Sequence, residues 1–408
     1  MDRSFIAALL VLVTALAPAS PADSLNCRLA GNWPFGPTMA VACDPARNLV
    51  FLGAGGGVYV LNVADPTEPA LLSEGIRTAG RVKDMVHTGN RLYSASGGLY
   101  IHNTESPGNP VQLGELSSPR DASGLAVAGN RVYVTDTRFG LRVVDVSDPA
   151  RPEEVGSIQL PGSTLGVALS ADANHAFIAS DTAGFRVVDV SDPADPVELG
   201  YYLAPGSVRE VSGRDNLAFL ACDDSALVIL DISDPASPVV VSRTMIPDTP
   251  LGVHADGHLV YVANHRDGFR VFDCTDPAGP ELVGHYDTPW QCYDIRVHGS
   301  LIYIADWGCG LQVYEGPVGI AEEPESGRLR GLDLYPNPAA GRVAVRLGSA
   351  GPGAQALLLY DASGRYRARW TLTGGRGEFD LRALGAGVYY LRTEQHDTAV
   401  GARLVIAR

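Results

Sequence analysis

Short apolar runs, four to six residues long and rich in Val, Ile, Leu, Tyr and Phe, recur along most of the chain between clusters of Gly, Asn, Asp and Pro. Runs of this length and composition form strands, and the clusters supply the backbone conformations of tight turns. No long stretch carries helical periodicity. The segment 124–158 shows the pattern: it predicts strands over 124–128, 130–135, 141–146 and 154–158. The first two are joined by a hairpin at Ala128-Gly129-Asn130, repeated as His298-Gly299-Ser300.

The third of these strands recurs seven times, at Gly57, Gly98, Gly140, Gly184, Ala226, Gly268 and Gly310, with spacings of 41, 42, 44, 42, 42 and 42 residues. Asp-Pro follows it at 65, 148, 192, 234 and 276, with a second Pro three residues on. Asp accepts bonds from its own turn and Pro presets φ, so the dipeptide reads as a corner. Four short strands every 42 residues or so are the signature of a propeller blade, a unit that buries its sheet faces only by stacking on neighbours. The seventh copy stops at Tyr314-Glu315-Gly316 without a fourth strand, while a matching stretch, Leu29 to Trp33, precedes the first copy. The expected fold is therefore all-β: a seven-bladed β-propeller over 27–317, closed by its N-terminal strand.

The strands Leu141-Arg-Val-Val-Asp145 and Leu227-Val-Ile-Leu-Asp231, with their corners and spacing, resemble the LVIVD-repeat family over roughly residues 27–317. Copy two departs, with Asn103-Thr-Glu-Ser-Pro107 where other copies have Asp-Val-Ser-Asp-Pro. The resemblance implies a propeller exposed outside the cell and no defined activity.

Past a polar linker at 318–330 the repeat ends and the charge changes sign. Six or seven short strands in residues 331–408 predict a small Ig-like β-sandwich. Tyr335-Pro336-Asn337-Pro338, the turn ending Gly364-Arg365, Gly387-Val-Tyr389 and the apolar-basic end resemble the type A C-terminal sorting domain of the type IX secretion system. That resemblance implies recognition by outer-membrane secretion machinery, followed by release or surface attachment. An ordinary Ig-like accessory module is the alternative.

At the other end, Phe5 to Leu16 is an apolar core before the small residues Ala17 to Ala22, so residues 1–22 read as a signal peptide. The run is too short for a comfortable transmembrane span, and no later segment is long and apolar enough. The expected location is secreted or on the outer cell surface, as a monomer. The formal charge is −15; residues 318–408 hold 12 Arg and 9 acids, about +3, which leaves about −18 on the first 317. Such a body repels phosphate backbones and argues against nucleic acid as a partner.

None of the spacings that mark a serine-hydrolase elbow, a zinc helix, a phosphate loop or a dinucleotide fold is present, and no cofactor is expected. Function in a propeller sits where the loops after strand two meet those before strand one. Here these loops carry Asp136, Asp306 and Trp290, while Asp84, Glu210 and Asp294 fall at equivalent positions near the start of the innermost strand. Converging carboxylates can hold a hard cation or polarise a sugar hydroxyl; an Asp opening a strand can equally accept backbone N–H bonds. His87, His254 and His298 occupy similar places in strand one and are expected to form one stack rather than a metal site. Cys292 and Cys309, at neighbouring ends of one blade, are expected to pair as a disulfide. The leading expectation is a binding scaffold whose propeller face takes a protein or glycan. A carbohydrate-active hydrolase or lyase and an architectural surface-layer component are the alternatives.

Overall fold

A computed structural model describes residues 24–317, 332–335, 342–347, 354–361, 366–373, 376–385, 387–393 and 401–406. The expected signal peptide (1–22) and linker (318–330) lie outside the described residues. The chain divides into two compact units, residues 1–319 and 320–408. Among the described residues it is all-β, and no helix is long and apolar enough to cross a membrane.

In the first unit the described residues form six four-stranded antiparallel sheets and one of five strands. In chain order their leading strands are Thr38–Asp44, Asp84–Thr88, Ala122–Ala128, Val167–Leu169, Val208–Arg214, Gly252–Asp256 and Cys292–His298, which number the sheets 1 to 7. Each leading strand lies against the next, and Cys292–His298 lies against Thr38–Asp44. Second strands are apolar without alternation, as in Leu259–Ala263, where all five residues are buried, because neighbouring sheets cover both faces. Fourth strands are the exposed edges and revert to mixed composition, as in Val111–Leu116. Sheet 6 gains its fifth strand on this edge, where Ser24–Leu25 pairs with Glu281–Tyr286.

Apolar clusters lock each sheet to its neighbour. Tyr93, Ile101, Leu125 and Val144 join sheets 2 and 3, and Phe185, Val187, Val211 and Val228 join sheets 4 and 5. Trp33, Leu311, Val313, Val41 and Leu52 join sheet 7 to sheet 1. The corner chemistry is as expected. Asp145 accepts the Ser147 N–H (2.7 Å) and Asp148 that of Ala150 (3.0 Å), and the same bonds recur at Asp189 and Asp192. In four sheets the corner presses on a bulge in the fourth strand of the preceding sheet that only Gly fits, at Gly31, Gly114, Gly156 and Gly200, whereas the equivalent Ser242 bonds the Pro277 carbonyl through its hydroxyl. A Cβ on Gly156 would stand 2.1 Å from the Pro193 carbonyl oxygen, and one on Gly31 would stand 2.3 Å from that of Pro66. Arg28–Trp33, which contains Gly31, pairs with Gly310–Glu315 and so occupies the fourth-strand place of sheet 7.

The second unit is one seven-stranded sheet in the order Leu332–Tyr335, Arg342–Leu347, Arg376–Asp380, Tyr366–Thr373, Ala354–Asp361, Gly387–Thr393, Gly401–Ile406. Among the described residues the ladder between its two halves is the one pair Thr373 and Arg376. They share one core, in which Val343 and Val345 pack with Leu357, Leu359, Leu391 and Ile406.

Candidate functional site

The leading strands present two rows of side chains. Asp84 pairs across the ladder with Ala95, Glu210 with Ala221 and Asp294 with Ala305, so the three acids are equivalent in register. The same row holds Ala40, Gly124 and Gly252 in sheets 1, 3 and 6. Two residues on, each leading strand faces an aromatic residue: Ala42 opposite Phe51, Ala126 opposite Tyr133, His254 opposite Tyr261 and Arg296 opposite Tyr303. Small residues fill most of the first row, which leaves room for the carboxylates to reach a neighbouring backbone.

Two of the acids do so. Asp84 accepts the N–H of Met85 and that of Leu125 in sheet 3, both at 2.7 Å. Asp294 accepts the N–H of Ile295 (2.8 Å) and that of Val41 in sheet 1 (2.9 Å). Glu210 accepts the Val211 N–H at 3.0 Å and lies against Gly166 of sheet 4. Arg296 joins them: its guanidinium donates to Asp294 (2.6 Å) and stands 3.5 Å from Asp84. It is not among the residues the repeat singles out, because only sheet 7 carries a cation there. Its signal is a long charged side chain in a row otherwise held by Ala, Val, Ser and His.

One guanidinium thus faces three carboxylates in a confined interior, where the side chains of Asp84 and Asp294 are each 13% exposed. Burial pushes Asp84 up to about 7 and Glu210 up to about 8, and raises Asp294. Arg296 opposes the rise at Asp84 and Asp294. Burial, followed by the charge of Arg296, holds His254 down at about 3, a neutral imidazole. The expected histidine stack does not form, because the three residues differ in register and surroundings. His87 stacks on Phe51 (4.6 Å) and bonds the Thr104 hydroxyl (3.0 Å), His254 shares the interior with Arg296, and His298 is exposed. Among the described residues no group of three or more His, Cys, Asp or Glu is arranged to hold a metal ion.

Asp136 and Asp306 do something else. Both end a second strand, both are buried, and each ties the turn that follows it to the loop before the leading strand. Asp136 accepts the N–H of Arg138 (2.9 Å) and that of Asp121 (3.5 Å). Asp306 accepts those of Gly308, Cys309 and Trp290, all at 3.2 Å. Burial raises Asp306 above the usual carboxylate range. These acids are not displayed; they fix what the loops display.

At sheet 7 the display is aromatic. Trp290 is 56% exposed, with Gly308 set so close to its indole that a Cβ there would lie 2.7 Å from the ring. Trp307 stands 5.3 Å from Tyr293, with the Arg81 guanidinium 5.0 Å over its ring. His265 meets Tyr293 edge-on at 6.2 Å and lies 3.4 Å from Asp248. The structure therefore separates the expected residues into an interior charged group, two loop-tying acids and one exposed aromatic.

Cys292 and Cys309 are free thiols, and the expected disulfide is not formed. Cys292 is packed with Tyr261, Phe269 and Tyr314 between sheets 6 and 7, whereas Cys309 sits in the turn tied by Asp306. Of the residues expected to form the sorting signature, Pro336, Asn337, Pro338, Gly364 and Arg365 lie outside the described residues. Tyr335 pairs with Ala344, Gly387 with Ile406 and Tyr389 with Leu404. The buried Tyr389 donates its hydroxyl to the Gly385 carbonyl at 3.1 Å.

The LVIVD repeat profile matches residues 119–159, 161–204, 205–245, 252–288 and 291–313. These are sheets 3 to 7, so the match is narrower than the repeat read from residue 27; in sheets 1 and 2 the third strand ends in Asn62 and Asn103 rather than an acid, and of these two sheet 2 also lacks the Asp-Pro corner. A secretion system C-terminal sorting domain profile matches residues 333–407. None of the curated proteins compared is similar to the chain. Among solved structures, the computationally designed Ika8 protein is similar at 11% identity and a TM-score of 0.54, over 71% of this chain and 99% of that one. At that identity the likeness concerns the fold alone.

Proposed function

We propose that this chain, an LVIVD-repeat β-propeller protein ending in a type IX secretion sorting domain, works outside the cell as a binding scaffold rather than by catalysis. In this reading the seven sheets are blades of one closed ring. Support comes from the last leading strand lying against the first, and from Arg28–Trp33 meeting the sheet 1 corner through Gly31 as Gly156 meets the sheet 4 corner. The second unit is read as a small Ig-like sandwich, on the strength of two half-sheets joined at one pair around a common core. An N-terminal signal peptide would begin the export that the sorting domain completes at the outer membrane.

The observation that carries the binding reading is the contrast in hydrogen bonding. The interior carboxylates are engaged by backbone N–H groups and Arg296, an arrangement that holds sheets together. At the loops of sheet 7 Trp290 instead stands open to solvent, at the same end of the sheet as the half-buried Trp307 and Tyr293. Aromatic faces next to Arg and His suit a protein or glycan surface.

Two measurements test this. Extracellular yield from a type IX-secreting host is compared for the full chain and a version ending at Gly327; equal yields would remove the sorting role. Binding to glycan and protein arrays is then compared for the wild type and the Trp290→Ala/Trp307→Ala variant. Array binding that is unchanged in the variant would remove the aromatic face from the mechanism.

A further inference from the structure

We infer a second, separate recognition site at sheet 3: a cleft that takes a carboxylate-bearing sugar, a uronate. The cleft has a volume of about 530 Å³, and its walls include Arg120, Asp121, Asp136, Arg138, Phe139 and Arg142. That volume lies within the range of about 300–1,000 Å³ usual for small-ligand sites. Three guanidiniums meet here on a unit whose net charge is strongly negative.

The local acids are already engaged. Asp121 is held by the Lys83 ammonium and the Thr137 hydroxyl, both at 2.5 Å. Asp136 accepts the two backbone N–H groups described above, and Glu154 pairs with Arg142 at 2.7 Å. The Arg142 pair is part of the repeat, since Arg186 and Glu198 make it again in sheet 4 at 2.8 Å. Arg120 and Arg138 belong to no such device. Both are exposed, and neither has an ion-pair partner among the described residues. With Lys83 set against Asp121 and Arg142 against Glu154, Arg120 and Arg138 outweigh the one remaining carboxylate, Asp136, so the cleft keeps about one net positive charge on planar, forked donors, the geometry that receives a carboxylate through paired hydrogen bonds.

Phe139 makes the ligand more than an anion. It is 51% exposed, with the Arg142 guanidinium 5.6 Å from its ring, and Asp136 fixes the turn that bears it. An apolar ring face beside guanidiniums matches a pyranose with a carboxylate at one edge: C–H groups lie on the ring while the carboxylate meets the arginines. A bare phosphate would make no use of Phe139. The site does not depend on the aromatic patch of sheet 7, and the variants keep the two apart.

Calorimetric titration of the full chain tests it, with trimers of galacturonate, glucuronate and guluronate as probes and their methyl esters as uncharged controls. At least one uronate trimer should bind, with its ester at least 10-fold weaker. Arg120→Ala and Arg138→Ala should each weaken binding at least five-fold, Phe139→Ala several-fold, and Trp290→Ala should leave it unchanged. All four side chains are exposed, and thermal melts check that the variants fold. The inference is overturned if no uronate trimer binds, if the esters bind equally, or if Trp290→Ala abolishes binding. It is also overturned if inorganic phosphate binds as tightly with Phe139→Ala silent, or if an acetylated tripeptide with a free C-terminus binds more tightly than every uronate.

Discussion

The interior of the first unit and its loop face use the same residue types to opposite ends. Inside, Asp84 and Asp294 sit among other charges, yet their oxygens are taken up by backbone N–H groups of the next sheet and by Arg296. On the loops, Asp136 and Asp306 are buried so that Arg138, Phe139 and Trp290 can be held out toward solvent. A cluster of carboxylates is therefore a poor guide to chemistry in a repeat protein. What separates a joint from a site is whether the polar atoms already have partners.

The contrast is sharpened most by removing the cation. Arg296→Met leaves three confined carboxylates unbalanced and should cost about 3–5 kcal/mol in chemical denaturation, the usual penalty for breaking a buried pair. A loss below about 1 kcal/mol would mean the interior charges are solvated and free. Asp84→Ala strips partners from the Met85 and Leu125 N–H groups and should cost about 1–3 kcal/mol. A neutral result there would break the assignment of Asp84 as a joint between sheets 2 and 3.

Acidity gives a third test. Asp84 at about 7 and Glu210 at about 8 are raised above their unfolded values, so the folded state binds more protons than the unfolded state through the intervening pH range. Stability should therefore fall as pH rises from 5.5 to 8, by up to about 1.4 kcal/mol per pH unit for each group. Asp294, Arg296 and His254 face the same interior, so the slope belongs to the group as a whole. Denaturation midpoints across this range measure it, and Glu210→Gln should flatten the curve. Stability that rises over the range would contradict the raised acidities of Asp84 and Glu210. The smallest effect is expected on the face: Trp290→Ala should change stability by no more than about 0.5 kcal/mol while impairing binding.

Much of this architecture is legible from spacing, because a repeat states the same local chemistry many times over. The Asp-Pro corners, the Gly bulges and the shared register of Asp84, Glu210 and Asp294 are each visible as recurrences. What appears once is harder to read. Arg296 has no counterpart in the other sheets, so no recurrence points to it, and its meaning depends on Asp84, more than 200 residues away in the chain. The pairing expected for Cys292 failed for a related reason: proximity in a hairpin fixes where two residues start, but the neighbouring sheet decides where a side chain packs. The cleft at sheet 3 was hidden because Arg120 and Arg138 look like ordinary surface charge until the engagements of Asp121 and Asp136 are known.

The pairing of Arg28–Trp33 with Gly310–Glu315 fixes the order of events during biogenesis. Nearly 300 residues must be made before the earlier strand can find its mate. Until then that sheet lacks its rim and shows a row of unbonded amides, a state that invites wrong partners. A protein fastened in this way completes that sheet only once both ends of the first unit are in place, and cutting the chain within either strand should loosen it.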